Sequence, residues 1–304
     1  MKDSHKAKEE RYLALLLMIL AVILWGLSYI STKVVIAQIP PISIAFFRQI
    51  IAAATLLPLA MYSGSLRMVT LRDLGAIASS GLFGLVLYFI FENISLQYTT
   101  ASNASMIVAS LPIFTLISEV LFFRLKVTWN IVICLLLSMI GVYLVVTVNG
   151  QMDFSSARFL GNLLMICSMI CWIVYTSMNK KLNKRYPSIA IITYQSLASI
   201  LLFIPFVIPE MARWPSFANL SFSSVANLFF LGVFCSAFAY FFYIYAAKRL
   251  GATNSATFLN LIPVVTVISG NVILHEDLFL IQIFGMAIIM ASIFWLNWLT
   301  SQSA

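Results

Sequence analysis

Long apolar stretches, each near the length of one bilayer crossing, alternate with short polar connections along the whole of this 304-residue chain. About 20 helical residues cross the hydrocarbon core of a bilayer, so apolar runs of about 18 or more read as membrane spans. Charge-free runs of that kind cover residues 12–32, 93–118, 127–152, 159–179, 186–209, 214–247 and 278–304. The pattern predicts ten helices, over 13–35, 42–62, 75–96, 103–123, 129–148, 160–181, 189–208, 225–247, 254–274 and 279–299. Short connections make neighbouring helices run antiparallel. The expected architecture is an all-α integral membrane protein. A charged tail (1–12) precedes one group of five helices (13–148) and a second group of five (160–299).

Composition supports this reading. Hydrophobic residues make up 62% of the chain and charged residues 9%, whereas soluble domains are about one quarter charged. The net charge of +8 does not point to nucleic acid, because the basic residues fall in short clusters between apolar runs. With the N-terminus in the cytoplasm, the inside segments hold fourteen of the 18 Lys and Arg residues, while the outside loops keep only Arg158 and Arg213. That asymmetry sets membrane orientation and puts both termini in the cytoplasm. Trp129, Trp295 and Trp298 near span ends suit an interfacial aromatic belt. The first apolar run is too long for a cleaved signal peptide and is read as a retained span. The plasma membrane is the expected location.

The two groups of five resemble each other. Trp25 and Lys33 are eight apart on the first helix, as are Trp172 and Lys180 on the sixth. Asn103 and Pro112 match Asn254 and Pro263 at one constant offset. Five is an odd number, so the second copy inserts upside down. The charges agree: Gln97-Tyr98 follows the third helix, but Lys248-Arg249 follows the eighth; Arg124 and Lys126 follow the fourth, but His275, Glu276 and Asp277 follow the ninth. Inverted repeats are the hallmark of secondary transporters.

Several segments resemble the EamA-type domain of the drug/metabolite transporter superfamily. They are Trp25-Gly-Leu-Ser-Tyr-Ile-Ser-Thr-Lys33, Phe47-Arg48-Gln-Ile-Ile-Ala-Ala, and Leu96-Gln-Tyr-Thr-Thr-Ala-Ser-Asn-Ala-Ser with Leu111-Pro112. The second half repeats the pattern as Arg249-Leu-Gly-Ala-Thr-Asn-Ser-Ala, Ile262-Pro263 and His275-Glu276. The resemblance spans nearly the whole chain as two domains. It implies a ten-helix carrier of small metabolites, similar to bacterial amino-acid exporters. One departure is visible. The family's acidic corner after the fourth helix reads Phe123-Arg124-Leu-Lys126 here, without the acid, whereas Glu276 is kept in the second half.

Candidate chemistry follows from charges placed within spans. Each costs about 2.5–3.5 kcal/mol on insertion scales at mid-membrane, so it faces a cavity or a partner. Arg48 and Glu92 fall at similar depth in the outer half. Arg48 could hold a substrate carboxylate bidentately, and Glu92 could take an amine or a coupling proton. A structural Arg48–Glu92 salt bridge is the alternative. Lys33 reads as a snorkelling side chain and Glu119 as an interfacial charge. Pro112 and Pro263 are paired helix breaks. Residues a turn or so away, among them Ser105, Ser110, Thr115 and Asn260, come within reach of a cavity. Asn103 and Asn254 suit helix N-caps. Trp25, Trp172 and Tyr175 could form an aromatic wall or simply pack. In the eighth helix, aromatic all round, Tyr240 and Tyr243 carry hydroxyls that need partners.

Cys134, Cys167, Cys171 and Cys235 all lie within spans, and Cys167 and Cys171 share a helix face; packing suits them better than a metal or redox pair. His5 and His275 are the two histidines, so zinc ligation has little support. There is no nucleotide-binding Gly-x-x-x-x-Gly-Lys. The expectation is therefore a secondary exporter of small organic metabolites, most of all amino acids. It would work by alternating access, with no cofactor and no catalytic activity. The expected partners are a small-molecule substrate, membrane lipid and a proton, with monomer and homodimer both open. A carrier of phosphorylated or nucleotide-linked metabolites is the alternative.

Overall fold

The computed structural model describes residues 2–66, 69–98, 104, 107–108, 111, 114–115, 118, 120, 128–146, 156–216, 219–274 and 280–302, all helix and connecting turns. The elements in chain order are α1 (Lys2–Ile36), α2 (Pro41–Tyr62), α3 (Leu71–Tyr98), α4 (Trp129–Val146), α5 (Ser156–Leu182), α6 (Ser188–Met211), α7 (Phe222–Leu250), α8 (Ala252–Phe258), α9 (Leu261–Leu274) and α10 (Leu280–Gln302). Among the described residues, six are long and apolar enough to cross a membrane: α1 from Glu9, α2, α3, α5 from Phe159, α6 and α7. Shorter apolar stretches occupy Trp129–Gly141, Asn254–Gly270 and Ile283–Leu296. The fourth expected span falls mostly outside the described residues. Its described members, from 104 to 120, are helical. Ser105, Ser110, Pro112, Asn103 and Glu119 lie outside the described residues.

Local chemistry accounts for the helix starts. Pro41 opens α2 at the first helical position, where its missing N–H costs nothing. Thr70 caps α3 by accepting from the Asp73 amide, and Ser221 caps α7 by accepting from that of Ser224. Helix α1 starts ten residues before its apolar run. The segment Lys6-Ala-Lys-Glu-Glu-Arg11 contains no Gly or Pro and is rich in helix formers. Glu10 there pairs with Arg249 at the end of α7, 3.4 Å away.

Both α3 and α7 contain a π-helical segment, at Leu82–Leu87 and Leu231–Phe238. Such wide turns concentrate at functional sites. The ninth expected span is broken: α8 ends at Phe258, a turn occupies Leu259-Asn260, and Pro263 sits in the first turn of α9. Asn254 does not cap this helix. Gly251, at φ +85, holds the cap position, and the Asn254 amide instead donates to the Leu250 carbonyl.

Packing is pairwise. The second part of α7 lies along α1, and the second part of α3 lies along α5. Helix α2 packs on α6, α4 on α10, and α1 on α9. The α4–α10 seam is tight: a Cβ at Gly141 would lie 2.8 Å from the Gly285 carbonyl oxygen, an approach that only small residues permit. Large apolar side chains such as Leu16, Ile170, Leu201 and Phe294 are exposed on the outside. A water-soluble fold would bury them, but lipid accepts them. The aromatic seventh helix follows suit, with Phe229 and Phe234 exposed while Tyr240 and Tyr243 are buried.

Candidate functional site

The costliest residues in an apolar bundle mark its centre. Arg48 on α2 is 1% exposed and Glu92 on α3 is 7% exposed. Both line one cavity, with Trp25, Tyr29, Tyr88, Phe89, Trp172 and Tyr240 around them and Leu259 and Ile262 from the α8–α9 break. The cavity holds about 30 Å³, about the share of one liquid water. The bundle is thus nearly filled at its centre, with room for a water but not for an organic molecule.

Each charged group has its own support. Arg48 donates from Nε to Ser236 Oγ at 3.0 Å, within the π segment of α7, and its guanidinium carbon lies 4.1 Å from the centre of the Phe89 ring. A guanidinium over an aromatic face gains a cation–π contact while its remaining N–H groups stay available. Glu92 Oε1 accepts from Tyr88 Oη at 2.9 Å, and Tyr29 is beside the same carboxylate. No salt bridge joins Arg48 to Glu92. Each has its own polar and aromatic neighbours, so the two groups face one cavity within electrostatic reach of each other but without a direct ion pair.

The wall is aromatic. The Trp25 ring centre is 5.3 Å from that of Trp172, 5.3 Å from Tyr240 and 5.4 Å from Tyr243. Trp172 is 5.3 Å from Tyr88 and 5.2 Å from Tyr175. Two of the polar handles end on the π segments: Trp25 Nε1 donates to the Cys235 carbonyl at 3.0 Å, and Tyr240 Oη donates to the Gly84 carbonyl at 3.1 Å. Gly84 is required here, because a Cβ would lie 2.1 Å from Tyr175 Cδ2. Tyr175 therefore braces the wall from behind without lining the cavity.

Other expected residues fall elsewhere. Asn260 is buried but is not among the cavity-lining residues; its amide donates to Ser138 on α4. Lys33 is exposed at the end of α1. Thr115 is buried away from this cavity. Ser110 and Pro112 lie outside the described residues. The four cysteines are free thiols.

Two polar contacts close the ends of the bundle. At one end, the buried Glu210 carboxylate at the close of α6 caps α2. It accepts from Ser43 N and Ser43 Oγ, both at 2.7 Å, and from Ile42 N at 3.3 Å; Trp214 Nε1 also donates to Ser43 Oγ at 2.7 Å. Nearby, Ser221 donates to Gln38 Oε1. At the other end, Asp73 binds Arg185 at 2.9 Å and Tyr186 Oη at 2.8 Å. The bond to Asp73 pushes the Tyr186 phenol above its usual range. A second cavity of about 300 Å³ opens at this basic end. Tyr243 lines it while also touching Trp25 and Trp172, so it separates the two spaces. Glu210 and Ser236 do not stand out in the sequence, because their partners are more than 150 residues away, whereas Tyr88 is legible through its four-residue spacing to Glu92.

These features define a multi-pass membrane protein built around a small, charged and aromatic cavity. The EamA-like transporter family matches residues 12–147 and again 159–298, and the chain belongs to that family of transporters. It is similar to an uncharacterized transporter of Archaeoglobus fulgidus, 27% identical over 90% of this chain and 95% of that one. An uncharacterized transporter of Bacillus subtilis, YcxC, is 26% identical over 88% and 87%. A probable terminal-alkyne amino-acid exporter of Streptantibioticus cattleyicolor is 23% identical over 85% and 84%. One protein of known crystal structure shares the fold with a TM-score of 0.77 at 18% identity, over 95% of this chain and 98% of that one.

Proposed function

We propose that this transporter exports small zwitterionic metabolites, amino acids with apolar or aromatic side chains above all, by alternating access across the plasma membrane. The observation that carries the reading is the cavity: a buried basic and a buried acidic side chain that form no direct ion pair, set against an aromatic wall. Arg48 receives the carboxylate, Glu92 the ammonium, and Trp25, Trp172 and Tyr240 the side chain. The name of the amino-acid exporter among the relatives agrees with this assignment. Glu92 is also the proposed proton site. Arg48 is the one cation lining the cavity among the described residues, which argues against phosphorylated or nucleotide-linked substrates needing several buried cations.

The proposed architecture is ten spans as two inverted five-helix repeats, 13–148 and 160–299, with both termini cytoplasmic. Three features support it. Exchanging the halves maps the α1–α7 pairing onto the α5–α3 pairing and α2–α6 onto itself. The π segments occupy corresponding parts of α3 and α7. Pro58 within α2 and Pro205 within α6 stand at the same offset as Trp25 and Trp172. The basic end of the bundle then faces the cytoplasm and the Glu210 end faces outward.

Reconstituted protein should show saturable, counterflow-stimulated uptake of radiolabelled phenylalanine or leucine, abolished by Arg48→Ala and uncoupled from a pH gradient by Glu92→Gln. Absence of flux for every amino acid tested would sink the substrate assignment.

A further inference from the structure

Three buried hydrogen-bond donors on α5 have no acceptor: Trp172 Nε1, Tyr175 Oη and Asn179 Nδ2. Trp172 and Asn179 are each 4% exposed and Tyr175 is fully buried. Native proteins leave few buried polar atoms unpaired, because each costs the desolvation of that group. These three do not scatter. Their spacing of three and four residues puts them on one face of the helix. The stripe begins at the central cavity with Trp172 and ends at the 300 Å³ cavity with Asn179. Asn179 already uses its oxygen, which accepts from Gln195 Nε2 and Ser80 Oγ, while its amide nitrogen lies beside the Tyr175 side chain with no acceptor at hydrogen-bond distance.

The mouth of that second cavity carries Lys184 and Lys248. Two acids at this end are paired with other bases, Asp73 with Arg185 and Glu10 with Arg249. Cations therefore lead into a cavity whose inner wall offers unused donors and no carboxylate. What fits such a path is a small organic anion with strong acceptor oxygens.

We infer that the α5 stripe is a carboxylate track: Lys184 and Lys248 collect a carboxylate at the basic end, Asn179 Nδ2 binds it in the vestibule, and Trp172 Nε1 receives it at the central cavity when the Tyr175 and Tyr243 rings between the two spaces move aside. The inference rests on the carrier reading for its purpose, but its binding step is separately measurable.

The test places a reporter thiol in the vestibule, Ala247→Cys, in the full chain in phosphatidylcholine nanodiscs, with the parent chain alongside to subtract the native thiols. A second reporter, Thr176→Cys, serves if the first does not accumulate. A sulfonate-bearing methanethiosulfonate should label the reporter about ten-fold faster than a trimethylammonium-bearing one, each normalised to a free thiol, since a cation-lined cleft concentrates anions. Lys184→Gln with Lys248→Gln should bring the two rates together. Millimolar phenylacetate should slow labelling and phenylacetamide should not. Asn179→Leu should keep the charge preference and lose the phenylacetate protection. Equal rates for the two reagents, or equal protection by acid and amide, overturn the inference. So does full protection by added phosphatidylglycerol alone, which would assign the mouth to a lipid headgroup. A protein that moves no amino acid yet shows charge preference and acid-specific protection refutes the substrate proposed above and leaves this track standing.

Discussion

Glu210→Gln should loosen the end of the bundle where α6 meets α2. The Glu210 carboxylate accepts two bonds of 2.7 Å from Ser43 and one of 3.3 Å from the Ile42 amide, and it is 3% exposed. Hydrogen bonds to a charged acceptor contribute about 1.5–3 kcal/mol net, and a carboxylate at a helix N-terminus adds up to about 2 kcal/mol in a buried setting. Glutamine keeps one acceptor oxygen but turns an amino group toward donors already present. A loss of about 2 kcal/mol is therefore expected, or roughly a 30-fold shift from closed toward open. Hydrogen–deuterium exchange of the reconstituted protein reads this shift. Amides of Ile42 and Ser43 should exchange roughly 30-fold faster, and so should the Gln38 and Ser221 segments that close the same end. Faster exchange confined to Ile42 and Ser43 would refute the reasoning, because Glu210 would then be a helix cap and not a latch.

Three further outcomes follow from the same geometry. Arg48→Gln loses the bond to Ser236 and the contact with Phe89; substrate affinity in counterflow should fall by about 2 kcal/mol or more, with Arg48→Lys restoring little because an ammonium lacks the planar fork. Gly84→Ala drives a Cβ to 2.1 Å from Tyr175 and should cost about 1–3 kcal/mol of stability, seen as a lower unfolding temperature and altered tryptophan fluorescence. Asp73→Asn breaks an ion pair whose Arg185 side chain is 68% exposed; solvent screens such a pair, so its effect on exchange around residues 183–188 should be well under that of Glu210→Gln.

What could be read from the chain was whatever the bilayer penalises. Arg48 and Glu92 stand out because a charge in a span is expensive, and both line the central cavity. Trp25, Trp172 and Tyr240 stand out as large amphipathic residues at mid-span, and they form its wall. Features that depend on distant backbone were invisible. Glu210 looks like a loop charge beside Arg213 until α2 presents its N-terminus. The π segments at Leu82–Leu87 and Leu231–Phe238 have no residue signature and are seen only in the folded helices. Asn254 has the chemistry of a cap, but the positive φ of Gly251 ends α7 and begins α8 at that glycine. Asn260 lies at the expected helix break, yet the turn rotates it toward Ser138.

The proposal stands or falls on whether the central cavity, about 30 Å³ here, widens to bind both ends of a zwitterion. The most direct measurement is binding of phenylalanine, phenylalaninamide and phenylpropionate to the purified full-length protein by isothermal calorimetry, with Arg48→Gln and Glu92→Gln alongside. The account predicts that phenylalanine binds tightest, that Arg48→Gln removes its advantage over the amide, and that Glu92→Gln removes its advantage over the acid lacking the amine. Equal affinity for all three ligands, unchanged by either substitution, would contradict it.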